Sequence, residues 1–135
     1  MGERQQRILV MAADPEIRAA CLEWQENHLV VAAADLLDGL DFLQTMRFDV
    51  VVIEYEFATH SGPLLLSAAR KSSPEACRVI TSTDMASAAR TLVNNHLAHA
   101  YLSVTELRET LGTLVLTHHH WCEEAQSSGL KPTDA

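Results

Sequence analysis

The sequence predicts an α/β domain in which five short parallel strands alternate with five helices. Three observations lead there. Five short apolar runs are spread along the chain, as expected of strands covered on both faces of a parallel sheet. Between them, apolar residues recur three and four positions apart, the spacing of a helix with one buried face. Helix-starting residues stand at the junctions, namely Asp14-Pro15, Asp35, Gly62-Pro63, Asp84 and Ser103.

Ile8 to Met11 forms the first strand, and Asp14 caps a helix whose buried stripe is Ile17, Ala20, Cys21, Trp24 and His28. Leu29 to Ala33 is the second strand, followed by Asp35 as N-cap and by Leu36, Leu40, Leu43 and Met46 on one helical face. Val50 to Ile53 makes the third strand, and Gly62-Pro63 opens a helix carrying Leu64, Leu65, Ala68 and Ala69. Val79 to Ser82 is the fourth strand, before a helix with Met85, Ala88, Ala89, Leu92 and Val93. Ala100 to Ser103 is the fifth. Ser103 and Glu106 have the spacing of a capping box, and Leu107, Leu111, Leu114 and His118 continue down the last helix. Residues 1–122 therefore read as one domain, and the polar, aperiodic stretch 123–135 as a disordered tail.

Composition excludes several functions. A chain of 135 residues with 47% hydrophobic residues supports one core. The formal charge of -8, with ten scattered Lys and Arg, opposes a nucleic-acid surface. No apolar run approaches the roughly eighteen residues of a membrane span, and the polar N-terminus does not resemble a signal peptide, so the cytoplasm is the expected compartment. Cys21, Cys77 and Cys122 are odd in number, far apart and without a Cys-x-x-Cys pair, which predicts reduced, structural thiols. His118-His119-His120 cannot converge on one ion, because consecutive helical residues point about 100° apart. His118 and Cys122, four apart, would supply only two ligands, and His96 and His99 read as turn residues.

In doubly wound sheets, chemistry sits at the carboxyl ends of the strands. Here those tips carry Ala12 and Ala13, then Glu54, Thr83 and Val104. Arg7 to Pro15, Asp49 to Gly62, Arg78 to Thr83 and Ala100 to Val104 together resemble, in order and spacing, the response-regulator receiver family. The resemblance covers residues 6–122 and implies a flavodoxin-like (βα)5 fold in two-component signalling. In that family, an aspartate ending the third strand accepts a phosphoryl group from a histidine kinase. Two acidic residues after the first strand help it bind Mg2+, a hydroxyl residue and an aromatic respond, and a lysine pairs with the phosphoryl group.

By that resemblance the acceptor position is Glu54, the acidic pair is Ala12 and Ala13, the switch residues are Thr83 and Tyr101, and the lysine position is Val104. Two alanines cannot ligate a hard cation, so Mg2+ binding is expected to be lost or weak, with no other cofactor. A glutamate places its carboxylate one methylene further out, which disturbs a reaction that depends on positioning. Valine supplies no charge. Asp14, next to the alanine pair, suits helix capping better than metal ligation. Thr83 reads first as a strand-end structural residue, and Tyr101 as readily as half-buried packing as a partner contact. At a buried strand end, the Glu54 carboxylate needs partners.

The expectation is a pseudo-receiver, not an enzyme, working through protein partners or as a homodimer. The contact face would be helix 4, strand 5 and helix 5, which includes Arg90, Asn94, Asn95 and Tyr101. Nucleic acid and membrane are not expected partners. Two alternatives stand beside it. One is a divergent but phosphorylatable response regulator in a phosphorelay, using Asp14, Glu54 and Glu56 as ligands; the other is a small-molecule binder on the same scaffold.

Overall fold

A computed structural model describes residues 6–26, 28–84 and 86–107. Five parallel strands form one sheet in the order β2-β1-β3-β4-β5. They are β1 (Arg7–Met11), β2 (Leu29–Ala33), β3 (Val50–Glu54), β4 (Cys77–Thr81) and β5 (Ala100–Tyr101). The longer helices are α1 (Pro15–Leu22), α2 (Leu36–Thr45), α3 (Gly62–Ser72) and α4 (Ala86–Asn94). Residues 104–107 are also helical.

Strand alternation divides the core into two layers. Leu9, Met11, Val51, Ile53 and Ile80 face one side, where Leu43 of α2, Leu65, Leu66 and Ala69 of α3, and Ala89 and Leu92 of α4 cover them. Ile8, Val10, Ala12, Val50, Val52, Cys77 and Val79 face the other, against Ile17 and Cys21 of α1 and Leu107. β3 is buried along its whole length, which is why its sequence reads as an unbroken apolar run.

Local signals act where the sequence places them. Asp14 Oδ1 accepts from the Glu16 N–H at 2.7 Å, and Asp35 Oδ1 from Asp38 N–H at 2.9 Å, so both cap their helices. Ser103 Oγ accepts from Glu106 N–H, while Glu106 Oε1 accepts from Ser103 N–H, the two halves of a capping box.

Other boundaries move. α1 ends at Leu22 and passes into a 3-10 stretch over Glu23–Glu26, so His28 is not on the helix. Its Nδ1 instead accepts from Gln6 N–H at 3.1 Å, beside the start of β1. β4 begins two residues earlier than the apolar pattern suggests and ends at Thr81; it takes in Arg78, whose guanidinium is buried against the Leu97 and His96 carbonyls. β5 stops at Tyr101 rather than Ser103, because Ser103 is used as a cap. Leu64 is 54% exposed, and Leu66 takes the buried place instead. The last helix beyond Leu107 and the tail 123–135 lie outside the described residues.

Candidate functional site

The carboxyl ends of β1, β3 and β4 meet at one edge of the sheet. Glu54 pairs in register with Thr81, and continuing the Met11–Ile53 pair by one residue sets Ala12 beside Glu54. Alternation puts all three side chains on the α1 side of the sheet. Ala12 is buried, Ala13 is exposed, and neither offers a side-chain oxygen.

Glu54 is only 4% exposed. Its Oε1 accepts from Ala13 N–H at 2.7 Å and from Asp14 N–H at 3.2 Å, both in the loop that leads into α1. A buried carboxylate requires such donors, and the amino end of a helix favours negative charge. Nearby, Arg18 Nη1 donates to the Ala12 carbonyl at 3.4 Å, bringing a guanidinium from α1 to the same loop. The Thr81 hydroxyl is buried without a hydrogen-bond partner.

Glu56, two residues further on, turns to the opposite loop. Its Oε2 accepts from Ser82 Oγ at 2.5 Å and from Asp84 N–H at 3.3 Å, and its Oε1 from Thr83 N–H at 3.3 Å. Partial burial pushes the Glu56 carboxyl up, but the bonds from Ser82, Thr83, Asp84 and its own N–H outweigh that and hold it below the ordinary glutamate value of 4.5. Glu54 and Glu56 therefore serve different loops. Sequence reasoning considered Glu56 only as a ligand, because its partner Ser82 is 26 positions away and no local spacing reveals the pair.

Thr83 is exposed and lies two residues past the end of β4, where its backbone rather than its hydroxyl meets Glu56. The buried hydroxyls at this edge belong to Thr81 and Ser82. Tyr101 is half-buried, with the Arg90 guanidinium 4.9 Å from its ring centroid, a cation–π arrangement. Val104 stands in the helical segment after β5 rather than at the strand tip, and packs against the α1-side core.

The loop after β3 is tightly folded. Ala58 and Thr59 take left-handed φ values of 51° and 61°, and Gly62 N–H donates back to the Tyr55 carbonyl at 3.3 Å. A Cβ on Gly62 would stand 2.8 Å from Tyr55 Cα, so the backbone approach itself requires glycine. Among the described residues, no group of three His, Cys, Asp or Glu is placed to hold a metal ion. Burial raises the Cys21 thiol to about 12, which makes it inert at neutral pH.

No protein-family model matches the sequence, and no curated protein matches it. Solved structures do. A CheY-like response regulator receiver domain protein from Methanospirillum hungatei JF-1 aligns with a TM-score of 0.73 at 20% identity, over 92% of this chain and 99% of that one. The chain has the receiver fold. A response regulator protein from Burkholderia pseudomallei, with a phosphorylated aspartic acid, calcium ion and citrate, aligns at 0.65 and 19% identity, over 91% of this chain and 75% of that one. An adenylate cyclase from Rhodopirellula baltica aligns at 0.75 and 14% identity, over 93% and 95%. At these identities the likeness is one of fold, and the receiver fold here carries a glutamate bonded to its own β1–α1 loop.

Proposed function

We infer that this chain is a signalling domain of the receiver type that no longer takes up a phosphoryl group and acts by binding a protein partner rather than as an enzyme. The observation that carries this is the Glu54 carboxylate bonded to the Ala13 and Asp14 amides. In that position the carboxylate neutralises the donors that an incoming anion would use, and its own charge repels one.

The donor set does not fit Mg2+. Ala12 and Ala13 contribute no carboxylate, Asp14 Oδ1 is used as the α1 cap, and Glu56 faces another loop. Arg18 brings positive charge to the Ala12 carbonyl, which further disfavours a cation. With valine at position 104, no charged side chain from that position pairs with a phosphoryl group.

The contact face in this reading is α4 with β5, where Arg90 and Tyr101 stack and Asn94 and Asn95 are exposed. A protein partner or a second copy of the chain would use it. The test is a two-dimensional amide NMR titration with Mg2+ and then beryllofluoride, a phosphoryl mimic. Unmoved signals at Ala12, Ala13, Glu54 and Ser82 are the expected result. Saturable shifts at these residues would instead favour the phosphorylatable alternative.

A further inference from the structure

Glu56 lies outside the Glu54 constellation, and its carboxylate is bonded to the loop after β4. One carboxylate takes a hydroxyl and two backbone N–H groups from three consecutive residues, Ser82, Thr83 and Asp84. That loop leads directly into α4, and a negative charge near the start of a helix complements its dipole. Glu56 thus ties the loop ahead of α4 to the β3 exit.

The chain beyond α4 is held to β4 on its own account, by Arg78, whose guanidinium donates to the Leu97 and His96 carbonyls and whose carbonyl accepts from His99 N–H at 2.7 Å. β5 is two residues long and pairs with β4 only through Ala100 and Tyr101. Leu102 N–H to the Ile80 carbonyl adds one bond, and Ala89 and Leu92 are the buried residues of α4. Arg90, on the exposed side of α4, lies over Tyr101. The position of α4 therefore decides whether that stack forms, and the loop held by Glu56 is the lead into α4.

We propose that Glu56 is a positioning residue that presets the Arg90–Tyr101 face, through its bonds to Ser82, Thr83 and Asp84, without any ligand at the strand tips. The proposal rests on the pseudo-receiver reading only in taking that face as the contact surface. Its test is read inside the protein, so the two can fail separately. Shifts on adding beryllofluoride would defeat that reading and leave this result standing.

The experiment is amide hydrogen exchange and side-chain NMR on the full chain, comparing the unmodified protein with Glu56→Ala and Ser82→Ala. In Glu56→Ala, exchange at Thr83 and Asp84 is expected to quicken by about tenfold or more, the loss of one charge-assisted hydrogen bond. The Tyr101 ring signals should move in the same sample, while Ala13 and Asp14 keep their protection. Faster exchange at Thr83 and Asp84 with Tyr101 unmoved would overturn the proposal, leaving Glu56 as a local tie within the loop. Unchanged exchange at both would overturn it as well. If Val10 and Val52 amides also lose protection, Glu56→Ala has loosened the whole fold, and Ser82→Ala, which keeps the carboxylate, decides by the same Tyr101 readout.

Discussion

A single methylene sets the character of the strand tip. Glutamate at position 54 extends far enough for Oε1 to reach two amides of the β1–α1 loop, and the alanine side chains at 12 and 13 bring no like charge to oppose it. Ala12, Ala13 and Glu54 are visible in the sequence as the residues at the ends of the first and third apolar runs. That the glutamate is satisfied by backbone is not, because Ala13 and Glu54 are 41 positions apart. Thr81 is equally hidden, lying within an apolar strand. Its buried hydroxyl has no partner and lies across from Glu54. Thr81→Val, which keeps the shape and removes the unsatisfied group, is expected to stabilise the fold by about 1 kcal/mol in urea denaturation. A loss of stability would mean that the hydroxyl turns to the Glu54 carboxylate in solution.

Caps are the most legible features among the elements, because a cap and its target lie within one turn. Asp14, Asp35 and the Ser103–Glu106 box all act where spacing places them. Ends set by long-range contacts are not legible. β4 extends back through Arg78 because its buried guanidinium is satisfied by the Leu97 and His96 carbonyls of the turn before β5. The turn after β3 shows in the sequence only as a glycine eight positions beyond Glu54. Its need is steric, since a methyl there would meet Tyr55 backbone that cannot move aside. Gly62→Ala should cost about 1–3 kcal/mol in the same denaturation measurement. A neutral result would show that the 55–62 turn yields easily.

For the molecule as a whole, stability should depend on pH through Glu56. Its folded-state pKa lies below the ordinary 4.5, so the unfolded chain binds the proton more readily between the two values. The stabilisation is present above 4.5 and is lost as pH falls through the folded value. The stability difference between the unmodified protein and Glu56→Gln should therefore be largest at neutral pH and shrink well below pH 4.5, as followed by denaturation at both. A difference independent of pH would assign the effect to packing rather than charge.

The alternation of strands and helices, the caps, and the presence of alanine at 12 and 13, glutamate at 54 and valine at 104 can all be read from the chain alone, because periodicity, local spacing and residue chemistry are properties of short stretches. Which donors each carboxylate meets is settled only by the folded sheet. Glu54 and Glu56 are two residues apart on one chain, yet the parallel sheet brings a different loop to each, from β1 on one side and β4 on the other. Contacts between residues so distant in sequence exist only once the sheet has formed.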